Sequence, residues 1–207
     1  MRLSGLYAIT PEDADTARLI RKVAACLQGG ASAVQYRNKQ ASAELAHLQA
    51  LQLHSLCQCF GVPLIINDSL ELACAVNAEG IHLGRDDGAV ADARRKLPNR
   101  IIGVSCYNDF RLAQRAMEQG ADYVAFGSFF SSSTKPEAVS AGIDLLASAR
   151  QHGLNTVAIG GITAANAGKL IAGGAHAVAV ISALFESGDE IRIRASAEAF
   201  TRLFHHV

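Results

Sequence analysis

The stretch Gly120-Ala121-Asp122-Tyr123-Val124-Ala125-Phe126-Gly127 reads as the end of a helix running directly into a short buried strand. A glycine there permits the left-handed turn that closes a helix, and the valine and aromatic residues behind it suit a pleated strand. The same Gly-Ala signal stands at Gly30-Ala31, ahead of Ser32–Tyr36, and at Gly174-Ala175, opening Ala175–Ile181. Further apolar runs at Leu6–Thr10, Val62–Asn67, Gly80–Leu83, Ile101–Ser105 and Thr156–Gly160 bring the strand candidates to eight. Ala-rich stretches with apolar residues at helical spacing separate them, for example Leu19, Val23, Cys26 and Leu27, or Leu45, Leu48, Leu51 and Leu56.

Strands alternating with helices imply a parallel sheet, which an open doubly wound fold and a closed barrel both satisfy. Sharing 207 residues among eight units leaves about 26 each, near the minimum for a strand, a helix and two connections. No G-x-G-x-x-G follows the first strand, which argues against a dinucleotide fold. Eight near-equal units without a linker or inserted segment favour a single α/β domain over residues 1–207, a (β/α)8 TIM barrel. Asp189–Phe204 sets Ile191, Ile193, Ala197, Phe200 and Phe204 in a mostly apolar pattern. That pattern predicts a last helix covering the barrel wall, or one that meets a second copy in a homo-oligomer.

Composition excludes other classes. Half of the chain is apolar, and 19 Lys+Arg balance 19 Asp+Glu, so it is neither a disordered chain nor a general nucleic-acid binder. The five cysteines are odd in number, and Cys57-x-Cys59 lacks a second metal-binding pair, which reads as reduced thiols without zinc. The N-terminus carries no targeting pattern, and no run of about 18 apolar residues exists. The expectation is a soluble, cytoplasmic protein with neither membrane nor nucleic acid as partner.

Chemistry in such a barrel collects at the C-terminal ends of strands, and these ends are polar here. The second strand runs into Gln35-Tyr36-Arg37-Asn38-Lys39 and the third into Asn67-Asp68. The fourth ends in His82-Leu83-Gly84-Arg85-Asp86-Asp87, and the fifth reaches Ser105. Ser131-Ser132-Ser133-Thr134-Lys135 follows the sixth, Gly160-Gly161-Ile162 ends the seventh, and Ile181-Ser182 the eighth. Arg37, Lys39 and Lys135 are cations that can converge on a strongly anionic ligand, or else solvated loop charges. Asp68 and Asp87 are hard oxygen donors suited to a Mg2+ that keeps waters and bridges a phosphate. Asn67-Asp68 can equally cap the helix starting near Ser69. The Gly160-Gly161 turn and Ile181-Ser182 offer backbone N–H groups to a second phosphate, or simply turn the chain. His82 reads as a satisfied core histidine, and no nucleophile–base pair is evident.

Taken together, these residues resemble the thiamine-phosphate synthase family. The resemblance is carried by Gln35-x-Arg37-x-Lys39, Leu64-Ile65-Ile66-Asn67-Asp68 and Gly80-Ile81-His82-Leu83-Gly84-x-Asp86-Asp87. It continues through Ile101–Ser105, Gly120–Gly127, Ser132-x-Thr134-Lys135, Ala158–Ile162 and Val180–Ala183, covering nearly the whole chain in order. It implies a transferase that joins a hydroxymethylpyrimidine diphosphate to a hydroxyethylthiazole phosphate, or its carboxylate, through a pyrimidine carbocation, with Mg2+. Residue by residue, it implies that Gln35, Arg37, Lys39 and Asn67 hold the pyrimidine diphosphate, and that Asp68 and Asp87 bind Mg2+. It places Ser105 near the diphosphate and Ser132 and Thr134 on the thiazole side. Lys135 neutralises the developing diphosphate charge in this reading, and Gly161, Ile181 and Ser182 cradle the thiazole phosphate. Arg37, Lys39 and Lys135 are thereby the expected catalytic cations.

The chain departs from the family pattern at three places. Arg85 stands where glutamine is usual, Ser131-Ser132 replaces Pro-Thr, and Cys106-Tyr107 follows Ser105 where a histidine is common. The rival readings are a thiazole tautomerase, which needs a histidine base near the site, and a non-catalytic barrel that binds thiamine phosphates. A phosphate-binding isomerase or aldolase barrel is a further class, but the Schiff-base lysine expected within a strand is missing.

Overall fold

Eight parallel strands close on themselves in chain order, the first pairing with the last. They are β1 (Gly5–Ile9), β2 (Ala33–Tyr36), β3 (Leu64–Asn67), β4 (Gly80–Leu83), β5 (Ile101–Tyr107), β6 (Tyr123–Phe126), β7 (Thr156–Ile159) and β8 (Ala177–Val180). The helices are α1 (Thr16–Gln28), α2 (Ala43–Phe60), α3 (Leu70–Ala75), α4 (Val90–Lys96), α5 (Phe110–Glu118), α6 (Asp144–Gln151), α7 (Ala164–Ala172), α8 (Ser182–Phe185) and α9 (Glu190–Phe204). The structure, a computed structural model, describes residues 3–84, 88–131 and 141–205. It is the expected (β/α)8 barrel, and all eight strands lie where the apolar runs predict them.

The three Gly-Ala signals share one geometry. Gly30, Gly120 and Gly174 have φ of 92°, 99° and 113°. The amides of Ala31, Ala121 and Ala175 reach back to the carbonyls of Cys26, Ala116 and Leu170 at 3.3, 2.9 and 3.0 Å. This closes α1, α5 and α7 and aims the chain into the next strand.

Along each strand the side chains alternate. Tyr7, Ile9, Ala33, Ile65, Tyr123 and Val157 fill the barrel, while Leu6, Val34, Ile66, Val124 and Val178 pack outward on the helices. α9 covers the wall beside α1, burying Ile193, Ala197 and Phe200, of which Ile193 and Phe200 contribute about 1.5–3 kcal/mol each. Thr201 Oγ1 donates to the Gly29 carbonyl at 3.0 Å across that contact. Ile191 does not join it: at 81% exposure it points to solvent, because it falls off the buried stripe of the first turn. No described helix is long and apolar enough to cross a membrane.

α2 also departs from its leucine pattern. Leu48 and Leu51 are exposed, whereas Gln49, Ala50, Leu53, His54 and Cys57 are buried. Two polar residues are turned inward because they have fixed partners. Gln49 binds the loops beneath the site, and His54 Nε2 meets Glu79 Oε1 at 3.0 Å.

Candidate active site

The loop after β2 is held by the ends of β1 and α2. Thr10 Oγ1 accepts from the Arg37 amide at 2.9 Å and donates to the Arg37 carbonyl at 3.0 Å, a two-way clamp on that residue's backbone. Tyr36 hydroxyl donates to Gln49 Oε1 at 2.9 Å, and Asn38 Nδ2 donates to the same oxygen at 3.2 Å. Both amides then donate to the Asp13 carbonyl, Gln49 at 2.8 Å and Asn38 at 3.0 Å. The Asp13 side chain is anchored in turn: the Arg18 guanidinium, at 2.6 Å, holds its carboxyl down at about 2, with Lys22 adding to the effect. Arg37 Nη1 meets Glu12 Oε1 at 3.1 Å and Lys39 Nζ meets Asp68 Oδ2 at 3.1 Å. These positions predict pre-organisation of the Arg37 backbone with side chains free to exchange carboxylate partners for an anionic ligand.

Asn67 ends β3 and Asp68 follows it in a left-handed conformation, φ 64°, uncommon for a residue other than glycine. The Asp68 amide donates to the His82 carbonyl at 2.9 Å, which ties this turn to β4. The capping alternative for Asn67-Asp68 is overturned. Ser69 is the cap of α3, its hydroxyl accepting from the Leu72 amide at 3.1 Å, so both side chains are released from that task. Arg37, Lys39, Asn67 and Asp68 line one cavity of about 430 Å3, whose lining also includes His47 and Glu71. Asp68 fits a hard divalent ion: it is a half-buried carboxylate already facing a cation, and Mg2+ needs only one or two such ligands when a phosphate supplies the rest. Among the described residues no larger group of metal-ligating side chains occurs.

Inside the barrel mouth, side chains from five strands join end to end. Gln35 Nε2 donates to the Tyr7 hydroxyl at 2.8 Å, and Tyr7 and Tyr123 hydroxyls meet at 2.9 Å. Tyr123 hydroxyl lies 2.9 Å from His82 Nδ1, and His82 Nε2 lies 2.8 Å from Ser105 Oγ. Burial pushes both phenols above their ordinary range, so they stay protonated. His82 is thus the satisfied, buried histidine that the sequence suggests, with both ring nitrogens partnered, one of them by Ser105. Nothing in the sequence marks that the polar atoms of His82 and Tyr123 meet.

Ser105 also corrects the boundary of β5, which continues to Tyr107 through a register shift between Ser105 and Tyr107. Cys106 therefore points outward into the helical layer, where burial pushes its thiol up to about 12. The same holds for Cys26 and Cys57. None of the three is a reactive thiolate.

At the opposite side of the mouth, Gly160 and Gly161 have φ of 105° and 60°. Their lack of side chains admits the chain after β6: a Cβ on Gly160 would overlap Ser128, and one on Gly161 would overlap the Ser131 carbonyl. Phe130 amide donates to the Gly160 carbonyl at 3.1 Å, and Asn166 Nδ2 to the Gly161 carbonyl at 3.0 Å. Ile181 packs on the barrel interior and precedes Ser182, which opens α8. The structure thus gathers Gln35, Arg37, Lys39, Asn67, Asp68 and Ser105 on one side and Gly161, Ile181 and Ser182 on the other, all at C-terminal strand ends. Arg85, Asp87, Ser132, Thr134 and Lys135 lie outside the described residues. Sequence reasoning missed Thr10, Asp13, Asn38 and Gln49, whose link is tertiary; Glu12 beside Arg37 was missed for the same reason.

Comparison with known proteins agrees with this fold. A family model described as "Thiamine monophosphate synthase" matches residues 6–184. The thiamine-phosphate synthase of Methylobacillus flagellatus is 54% identical over 204 residues, covering 98% of this chain and 96% of that protein. The thiamine-phosphate synthase of Thiobacillus denitrificans is 52% identical over 202 residues, covering 97% and 94%. Among solved structures, a thiamine phosphate pyrophosphorylase from Pyrococcus furiosus superposes with a TM-score of 0.85 at 32% identity, covering 98% of this chain and 96% of that one. By its matched length and its similarity to these relatives, the chain belongs to the thiamine monophosphate synthase family.

Proposed function

We propose that this transferase joins 4-amino-2-methyl-5-hydroxymethylpyrimidine diphosphate to hydroxyethylthiazole phosphate, or its carboxylate, giving thiamine phosphate and diphosphate. The observation that carries the reading is the shared cavity of Arg37, Lys39, Asn67 and Asp68, two cations and a carboxylate at the ends of neighbouring strands. In the reaction the methylene C–O bond breaks and its electron pair leaves with diphosphate. The thiazole nitrogen then gives its lone pair to the resulting cation, forming the C–N bond.

Such chemistry asks the protein for charge stabilisation, positioning and exclusion of water. Arg37 and Lys39 bind the departing diphosphate oxygens, exchanging Glu12 and Asp68 for them. Gln35, Asn67 and Ser105 orient the pyrimidine end. Gly161, Ile181 and Ser182 hold the thiazole phosphate through backbone groups, with Ser132 and Thr134 beside it and Lys135 on the diphosphate. Asp68 and Asp87 would hold Mg2+, which when bound neutralises diphosphate charge. Purified protein supplied with both substrates and Mg2+ is expected to release thiamine phosphate and diphosphate in equal amounts; folded protein giving neither product overturns the reading.

A further inference from the structure

The two glycines that end β7 have their carbonyls held by other elements. Phe130 amide donates to the Gly160 carbonyl at 3.1 Å, and Asn166 Nδ2, from the first turn of α7, donates to the Gly161 carbonyl at 3.0 Å. Asn166 Oδ1 accepts from the Thr163 amide at 2.9 Å. Both partners of this side chain are backbone groups of fixed polarity, so its amide has one orientation: a flip sets NH2 against N–H and oxygen against oxygen. Among the described residues, by contrast, the amides of Gly161 and Ile162 donate to no protein group.

A planar trans peptide sets its C=O and N–H in opposite directions. The Gly161 carbonyl and the Ile162 N–H belong to one such unit, so turning the carbonyl onto Asn166 aims the Ile162 N–H away from α7. The Phe130 contact fixes the Gly161 N–H in the same way, through the Gly160 carbonyl. Gly160 and Gly161, at φ 105° and 60°, permit this course of the chain. Successive backbone N–H groups in such a turn make an anion-binding concavity. We propose that Asn166 is a positioning residue for the thiazole phosphate, holding the Ile162 amide where it joins the Gly161 amide on that phosphate. This role rests on the proposed binding of thiazole phosphate at Gly161, Ile181 and Ser182, to which it adds the Ile162 N–H.

Asn166 also closes the first turn of α7, as a capping residue does. The two tasks divide between its two polar atoms: Oδ1 serves the helix through Thr163, and Nδ2 serves the turn through Gly161. Capping α7 needs only the first. Asn166→Asp separates them, because aspartate keeps an oxygen for the Thr163 amide but sets its other oxygen against the Gly161 carbonyl.

Nitrogen-15 NMR of the whole protein, with Mg2+ and diphosphate present, tests this by following the Gly161 and Ile162 amides during titration with hydroxyethylthiazole phosphate. Both amide protons are expected to move downfield in the wild type. In Asn166→Ala the Kd for hydroxyethylthiazole phosphate is expected to rise about tenfold, with the Ile162 shift lost, the Gly161 shift retained and the Kd for diphosphate within about twofold. Asn166→Asp is expected to show the same pattern and supplies the measurement if Asn166→Ala fails to fold. Its loss relative to wild type is expected to persist at about 1 M salt, which screens the added charge beyond about 3 Å. An unchanged Kd in a folded variant, a loss shared equally by diphosphate, a loss that salt abolishes, or an Ile162 amide that stays put in the wild type overturns the proposal. If the wild type takes up no hydroxyethylthiazole phosphate, the proposed reaction falls, and the same titration with inorganic phosphate decides the role of Asn166 by the same Ile162 shift.

Discussion

Adding one methyl group at Gly103 is expected to do more damage than its size suggests. Gly103 lies in β5 outside the left-handed region, where replacing glycine by alanine normally stabilises a protein by about 0.4–1 kcal/mol through the unfolded chain. Here the new Cβ would overlap Cζ and the hydroxyl oxygen of Tyr123, which is fully buried. Restoring contact at about 3.5 Å requires the ring to retreat by on the order of 1.5 Å. It has nowhere to go without loosening its hydrogen bonds to Tyr7 and His82, both 2.9 Å. Overpacking of about 1–3 kcal/mol and two hydrogen bonds of about 1 kcal/mol each give a net loss of about 2–4 kcal/mol after the backbone gain is subtracted. Urea unfolding of Gly103→Ala measures this directly. The double variant with Tyr123→Leu supplies the control, since removing the ring removes the clash, and Gly103→Ala should then be nearly neutral in that background. Gly103→Ala within about 1 kcal/mol of wild type, or an equal loss in both backgrounds, refutes the reasoning.

Asp68→Gly is expected to leave stability within about 1 kcal/mol, because glycine accepts the left-handed backbone, while turnover falls by more than 100-fold; thermal unfolding and steady-state assay separate the two. Asp13 is held at about 2 in the fold against 3.8 when free, so its contribution is complete above pH 3.8 and disappears as pH falls from 3.8 toward 2. Asp13→Asn should therefore flatten the acid limb of a pH–stability curve by about 1–2 kcal/mol, discounted for the half-exposed Arg18, and a curve parallel to wild type below pH 4 contradicts this. Arg94 donates to the carbonyls of Gly120 at 2.8 Å and Arg100 at 2.8 Å and to Asp122 Oδ2 at 2.5 Å. Arg94→Lys loses that fork and should destabilise by about 2 kcal/mol with turnover per folded molecule unchanged, checked by urea titration beside the activity assay.

The barrel was legible because its signals are local. A Gly-Ala pair closes a helix wherever it occurs, and a run such as Tyr123–Phe126 has few alternatives to a buried strand. The polar strand ends were legible for the same reason, since a parallel barrel must deliver Arg37, Asn67, Ser105 and Gly161 to one rim. Helix faces were less so. The leucines of α2 suggest one stripe, and the structure buries another because Gln49 has partners on β2 and the β1–α1 connection that no periodicity announces. Ser69 likewise shows that a cap cannot be assigned among Asn67, Asp68 and Ser69 until one of the three side chains meets an amide.

Sequence alone determined the eightfold alternation, the rim on which chemistry gathers and the residue types at each strand end, since these follow from short-range periodicity and turn chemistry. Tertiary structure decided which of those residues act on one another. Gln35 and Ser105 are 70 positions apart in the chain yet stand at the two ends of one series of hydrogen bonds through Tyr7, Tyr123 and His82. The alternation of a strand predicts that these side chains point inward. Only closure of the barrel brings their polar atoms to within 3 Å of one another.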